Sequence, residues 1–407
     1  MMKNRLLLLP LLVLLGAAPG APLEIQERHG KSFRGTIDGF PILLLRGTHR
    51  ERGLAHGRLE AAAILSTLDD VLIPTLHKLA PGSWEKKLIQ ESASFAIPAR
   101  YEEELSGMLE GLRAALPQEE ARTLRTLHRE IRLEDLKALN CLSDILGAGC
   151  SSFSAWGART PDGTPIVGRN LDYFAFPLSS KALLLAVEPS EKTLKATVDV
   201  VMPGFIGVST ALNSDGAFLA LHDEKGLPGG AAAAWVPRSL ALRTAIESAT
   251  GAAAVRDVEA ALRGVPVRIG NNVHVCGTSG PAAVLEWDGN AKDDGVTSRG
   301  PEGQETLVCT NHYCLREKSD GGPDSGGRFT TVSRGLDAIG SAGRKIDLDL
   351  AKKLLQTVSR SGALVTHLSY VAWPAARRWT FAVSPQTGIS ASKGRWIALE
   401  WKDLFAN

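Results

Sequence analysis

The chain changes texture at Cys150, and that change constrains its fold more than any other feature. From about 50 to 148 the residues are rich in helix formers. Leu59 to Leu79, Tyr101 to Leu116 and Leu133 to Leu146 each repeat apolar residues at helical spacing. Pro74, Pro81, Pro98 and Pro117 mark breaks between them. Before this stretch, residues 34 to 46 read as one strand or hairpin around Ile42 to Leu45. After Gly147-Ala148-Gly149 the pattern turns to strands. Ser151 to Gly157 is strand-like, Thr160-Pro161-Asp162-Gly163-Thr164 is a strong turn signal, and Pro165 to Gly168 returns as a second strand. The spacing therefore predicts a hairpin that begins at a cysteine.

Downstream, strands are expected at 182–187, 196–202, 207–212 and 217–221, then helices at 238–249 and 252–263. Strands return at 273–276, 283–287 and 306–310. Helices near 328–339 and 348–359 and strands at 378–383 and 395–401 complete the pattern. Strands, helices and again strands imply an α+β layered domain. The Gly-rich, charged stretches 288–305 and 319–327 read as surface loops or disorder. No internal repeat is present.

The five cysteines are Cys141, Cys150, Cys276, Cys309 and Cys314. Their meaning depends on compartment. Lys3 and Arg5 precede an apolar run from Leu6 to Leu15, and small residues follow from Gly16 to Ala21, with Ala18-Pro19-Gly20 as a cleavage-type pattern. This reads as a secretory signal peptide over 1–20, and so as a secreted or periplasmic protein, the alternative being an uncleaved anchor or a buried helix. The run is shorter than the roughly 20 residues a membrane-spanning helix needs. An odd cysteine count in an exported chain leaves at least one thiol unpaired. The other four suffice for two disulfides or can remain buried thiols. The spacings fit no zinc site, and no metal or cofactor is expected. With 46 basic and 44 acidic residues the chain lacks the basic surplus of a nucleic-acid binder.

The chemistry concentrates at the hairpin. Gly147-Ala148-Gly149-Cys150-Ser151-Ser152 opens its first strand, and Gly168-Arg169-Asn170-Leu171-Asp172-Tyr173 closes its second. Antiparallel pairing folds Arg169 and Asp172 back beside Cys150. A cation beside a thiol favours thiolate. On spacing alone the alternative is a buried cysteine next to a surface Arg–Asp pair.

These residues resemble the N-terminal-nucleophile hydrolases of the choloylglycine hydrolase, acid ceramidase and acyl-CoA:6-aminopenicillanate acyltransferase group. The Gly168 to Tyr173 segment is similar to that group's segment after its nucleophilic cysteine. Leu212-Asn213-Ser214-Asp215-Gly216, Cys309-Thr310-Asn311-His312-Tyr313 and Gly327-Arg328-Phe329 resemble later motifs, in the family's order. Upstream, Arg52-Gly53-Leu54-Ala55-His56-Gly57-Arg58-Leu59 resembles the helical entry of the acyltransferase branch.

The resemblance implies a four-layer αββα sandwich with two stacked antiparallel sheets. It implies self-cleavage between Gly149 and Cys150, giving a mainly helical N-terminal segment over 21–149 and a catalytic domain over 150–407. Cys150 is then nucleophile and, through its freed α-amino group, base. Gly149, lacking a Cβ, would tolerate a strained backbone during the cut. By the same resemblance Arg169 and Asp172 hold the Cys150 amino group and thiol, Asn213 and Asn311 donate to the oxyanion, and Arg328 anchors the network. Read from the residues alone, Asn213 before Ser-Asp-Gly also suits a turn, and Arg328 a solvated helix start. Leu139, Leu142, Ile145 and Leu146 read as helix core rather than acyl pocket, His56 as packing in a helix turn, and Glu286 as a strand-end carboxylate. Asn271 and Asn272 read as a strand edge.

The expected activity is hydrolysis of a linear amide in an N-acyl compound, with a lipid-like or bile-salt-like acyl group. The expected partners are that small molecule and the chain's own N-terminal segment, and a lipid substrate would add a membrane or micelle surface. Two other readings remain open: acyl transfer to an amine, and a catalytically silent binding protein on the same fold.

Overall fold

The computed structural model describes residues 22–147, 149–224, 234–289, 293–317 and 320–405. The expected signal peptide lies outside the described residues.

The upstream segment opens with three strands, β1 (Leu23–His29), β2 (Ser32–Ile37) and β3 (Phe40–Gly47). Helices α1 (His49–Leu59), α2 (Ala99–Ala115), α3 (Leu133–Asn140) and α4 (Leu142–Ile145) follow, with shorter helical turns between α1 and α2. Helix α1 starts at a capping box: Thr48 accepts from the Glu51 N–H, and the Glu51 carboxylate accepts from the Thr48 N–H. The expected hairpin forms as β4 (Gly149–Ala155) and β5 (Ile166–Phe174). Next come β6 (Leu183–Pro189), β7 (Thr197–Val201), β8 (Thr210–Asn213) and β9 (Phe218–Asp223). Helices α5 (Arg238–Ser248) and α6 (Ala254–Leu262) precede β10 (Asn271–Cys276), β11 (Ala283–Trp287), β12 (Val296–Arg299) and β13 (Thr306–Cys309). Next follow α7 (Gly322–Ser341), α8 (Leu348–Thr357), β14 (Leu364–Trp373), β15 (Arg378–Val383) and β16 (Trp396–Glu400), and a single helical turn at Lys402–Phe405.

Two sheets result. The larger has ten strands in the order β1-β2-β3-β6-β7-β8-β9-β10-β11-β12, and the smaller has six in the order β13-β4-β5-β14-β15-β16. Pairing within them is antiparallel except between β3 and β6, which run parallel from Ile42 opposite Leu184 to Gly47 opposite Pro189. The exception follows from connectivity. A long stretch of helices plus the hairpin that begins at Gly149 intervenes between these strands, and a parallel pair requires such a crossover.

Burial separates the layers. Leu44, Ala186, Phe218 and Ala220 of the large sheet pack against Val167, Leu368, Tyr370 and Phe381 of the small one. On the outer face of the large sheet, Leu219, Val273 and Leu285 meet Leu242, Ile246 and Val258 of α5 and α6. On the outer face of the small sheet, Phe153, Ile166 and Val371 meet Val332, Leu336, Leu354 and Leu355 of α7 and α8. Helix–sheet–sheet–helix is the four-layer αββα sandwich.

The upstream segment is more than helical. Its three strands join the large sheet, and its helices add their own core around Leu68, Tyr101, Met108 and Leu136. Helices α1 and α2 cross on glycines. A Cβ built on Gly53 would lie 1.9 Å from the Glu104 carbonyl oxygen, and one on Gly57 1.8 Å from that of Met108. One on Gly111 would lie 2.1 Å from the Leu54 carbonyl oxygen. Only glycine lets the two backbones approach this closely. A buried ion network sits beside the crossing. Glu104 of α2 bonds Arg243 of α5 at 2.9 Å and His49 of α1 at 2.8 Å, and Arg243 also bonds Glu247 at 2.8 Å.

Strand β14 is absent from the sequence reading. It is buried along most of its length, and buried Thr366, His367 and Ser369 interrupt the alternation that would reveal it.

Candidate active site

Hairpin register fixes the site. Gly149 lies opposite Asp172, Cys150 opposite Leu171 and Ser152 opposite Arg169. Alternation turns Cys150, Ser152 and Ser154 toward the large sheet, while Phe153 and Ala155 pack into the α7/α8 layer. Arg169 Nη2 lies 3.5 Å from Cys150 Sγ and donates at 2.5 Å to the Leu221 carbonyl of β9. The guanidinium thus bridges the sheets with its charge beside the sulfur.

Asn311 and Arg328 hold the backbone of Cys150. The Cys150 N–H donates to Asn311 Oδ1 at 2.7 Å, and Arg328 Nη2 donates to the same oxygen at 2.8 Å. Arg328 Nη1 donates to the Cys150 carbonyl. Asn311 Nδ2 donates at 2.6 Å to the Asp223 carbonyl. In this state Asn311 therefore grips the Cys150 nitrogen with its oxygen, a different task from the oxyanion donor expected of it. Arg328 sits 7% exposed on α7, so the solvated helix start is excluded.

Asp172 accepts from Thr366 Oγ1 at 2.7 Å and pairs with Arg360 Nε at 3.1 Å. Burial raises its pKa, while Thr366 and then the arginines Arg328, Arg360 and Arg169 oppose the rise. A Cβ on Gly149 would meet Asp172 Cβ at 3.5 Å, an ordinary contact. Space alone does not demand glycine at that position.

Asn213 stands apart, which corrects the expectation of an oxyanion donor. Its Nδ2 donates to the Ile246 and Ala249 carbonyls at 2.8 Å each, and its Oδ1 accepts from the Asp215 and Ala217 N–H groups at 3.0 and 2.8 Å. Both amide hydrogens are spent closing the end of α5, so none is left for an oxyanion. The turn reading from Asn-Ser-Asp-Gly is the one observed.

The Cys150 thiol is 1% exposed. Burial pushes its pKa up to about 11; Arg169 and Arg328 pull it down, and Asp223 and Asp172 add to the rise. The intact chain thus holds a neutral thiol that needs a base. His274 is not placed to serve. Its ring nitrogens lie 2.7 Å from Ser152 Oγ and 2.9 Å from Ser154 Oγ, and burial depresses its pKa to about 3. It ties β4 to β10.

Cys150 opens onto a cavity of about 160 Å³. Leu171, Val200, Met202, Phe205, Leu221 and Leu368 make it apolar, and Arg169, Asp223 and Arg238 give it charge. Leu139 and Leu142 also line it. They belong to the helix core as expected, yet they also form cavity wall. Sequence reasoning missed Asp223, Arg238, Thr366 and Arg360. Only Asp223 left a local signal, as a carboxylate ending the apolar run Phe218-Leu219-Ala220-Leu221 after His222.

Other residues fall into structural roles. No disulfide joins any of the five cysteines. His56 Nε2 accepts from the Gly204 N–H at 3.0 Å. The Glu286 carboxylate accepts from the Cys314, Leu315 and Arg316 N–H groups at 2.6–3.0 Å, fixing the loop that follows Asn311. Asn271 accepts from Arg238 at 2.7 Å, and Asn272 donates to the Thr310 and His312 carbonyls at 3.2 and 2.8 Å.

A four-layer αββα sandwich is the N-terminal-nucleophile hydrolase fold. The family model "Acyl-coenzyme A:6-aminopenicillanic acid acyl-transferase" matches residues 158–363, half of the chain, and the chain belongs to that family. The match spans Arg169, Asp172, Asn311 and Arg328, and begins after Cys150. No curated protein sequence matches significantly. Among solved structures, a Caenorhabditis elegans N-acylethanolamine-hydrolyzing acid amidase (NAAA) ortholog is similar at 20% identity and TM-score 0.42, over 61% of this chain and 99% of that one. A mutant conjugated bile acid hydrolase from Clostridium perfringens gives 13% and 0.46, over 62% and 92%. Penicillin V acylase from Agrobacterium tumefaciens gives 12% and 0.41, over 62% and 91%.

Proposed function

We propose that this protein is an exported, self-processing amidohydrolase that cleaves a linear amide in an N-acyl compound with an apolar acyl group. The observation that carries the reading is Cys150 at the start of β4, with Arg169 beside its sulfur and an apolar cavity in front of it. Export rests on the apolar run Leu6 to Leu15 behind Lys3 and Arg5.

Maturation begins when Sγ attacks the Gly149 carbonyl carbon. The Gly149–Cys150 C–N bond breaks, its nitrogen takes a proton, and a thioester forms. Water then releases the Gly149 carboxylate and leaves Cys150 with a free α-amino group. Such a group has an ordinary pKa of roughly 7.7–8.0 and takes the thiol proton near neutrality, which a peptide nitrogen cannot. In turnover the thiol attacks the substrate carbonyl, the α-amino group passes the proton to the departing amine, and water hydrolyses the acyl-thioester.

The family's own description favours a second reading, in which an amine takes the acyl group in place of water. Product analysis with and without added amine separates the two.

Intact-mass analysis and N-terminal sequencing of active enzyme should find a chain beginning at Cys150. Fully active protein with one uncut chain would overturn the maturation step. Hydrolysis should be detected in a panel of N-acyl amides and rise with acyl apolarity. A folded, cut protein whose Cys150 resists electrophilic probes would instead favour a silent binding protein.

A further inference from the structure

Arg238 is the first residue of α5, is 1% exposed, and meets three elements at once. Its Nη1 pairs with Asp223 Oδ1 of β9 at 2.7 Å and donates to Asn271 Oδ1 of β10 at 2.7 Å. Its Nη2 donates to the Ser143 carbonyl of α4, and its backbone N–H donates to Asp144 Oδ1 at 3.0 Å. Asp223 and Arg238 both line the cavity onto which Cys150 opens. The Asp223 carbonyl accepts from Asn311, whose oxygen holds the Cys150 nitrogen.

Resting on the reading of Cys150 as nucleophile, we propose that Arg238 is a positioning residue for it, acting through Asp223. The guanidinium anchors the Asp223 carboxylate and offsets its charge, and the Asp223 carbonyl orients the Asn311 amide that grips the Cys150 nitrogen.

The charge balance around the sulfur gives the proposal its sign. Cys150 is faced by Arg169 and Asp172 from β5, Asp223 from β9, Arg328 from α7 and Cys309 from β13. Asp223 is faced by Arg238 from α5, Asp144 from α4 and Tyr173 from β5. A carboxylate near a thiol disfavours thiolate, and a cation paired with that carboxylate weakens the effect. Removing Arg238 bares the charge of Asp223; removing the Asp223 charge leaves Arg238 in surplus. The two changes must therefore act in opposite directions.

The test uses the purified mature protein, with its processing state read by intact mass. Alkylation of Cys150 by iodoacetamide is followed by peptide mass spectrometry across about pH 6 to 10. Relative to wild type, Arg238→Gln should move the midpoint of the rate profile up by about half a unit or more, and Asp223→Asn should move it down by a similar amount. Arg238→Lys, which keeps the charge, should stay near wild type. Unmoved midpoints in folded Arg238→Gln and Asp223→Asn, or shifts in one direction for both, would overturn the proposal. If Arg238→Gln does not fold, the downward shift of Asp223→Asn decides it. The profile needs no substrate, so turnover persisting in Cys150→Ala would sink the nucleophile reading separately.

Discussion

The Cys150 hairpin and the α1–α2 crossing are both buried, but they use burial differently. In the hairpin, residues 149–174, burial encloses polar groups that find specific partners: Cys150 finds Asn311 and Arg328, and Asp172 finds Thr366 and Arg360. In the crossing, burial removes side chains altogether, so that Gly53, Gly57 and Gly111 bring backbone against backbone. One region spends its interior on chemistry, the other on proximity. Damage should therefore read out differently, as lost turnover in the first and lost folding in the second.

The sharpest break is Cys150→Ala. It should abolish both self-cleavage and turnover while leaving the uncut chain folded, since only one buried atom is deleted. Gel analysis of processing, a substrate assay and a denaturant titration check the three parts. Residual turnover would remove Cys150 from the chemistry.

Gly57→Val tests the other side. The new Cβ would meet the Met108 carbonyl, a backbone atom that no rotamer change can move. Stability should fall by about 4 kcal/mol or more, with poor soluble yield. Any folded fraction should keep wild-type turnover per active site, counted by thiol titration. A stable Gly57→Val protein would dissolve the contrast.

Asn213→Ala sharpens the comparison at a residue whose two readings disagree. Loss of its four hydrogen bonds should cost about 2–3 kcal/mol in a denaturant titration. The kcat/KM of the folded enzyme should change less than about threefold. A fall of about 10²-fold would return Asn213 to the oxyanion.

What the sequence disclosed follows the range of the interactions. The hairpin was legible because a turn signal and a two-residue period are local, and the antiparallel return of Arg169 and Asp172 follows from them. Asn311 and Arg328 needed the family's motif order, since a single asparagine or arginine in a loop carries no such pattern. Arg360 and Thr366 left no trace, because their meaning is the carboxylate of Asp172 nearly two hundred residues away in sequence. The glycines of α1 and α2 are spaced four apart in each helix, Gly53 with Gly57 and Gly107 with Gly111. Each pair is ordinary alone and significant only once the helices meet. Leu139 and Leu142 show a further limit: apolar periodicity says a residue is inside, not whether the inside is packed or hollow.

If the proposed cut between Gly149 and Cys150 is made, the parallel pairing of β3 with β6 has a consequence. Strands from both sides of the cut are stitched into one sheet, so neither product is a finished object. The upstream piece alone would offer β3 as an open edge, and the downstream piece would offer β6, each a template for the wrong neighbour. The single chain is thus a jig, needed to set the strands in order and dispensable once they are paired. A mature molecule that unravels has lost its jig. Its durability in use then rests on how slowly it opens rather than on how well it could close again.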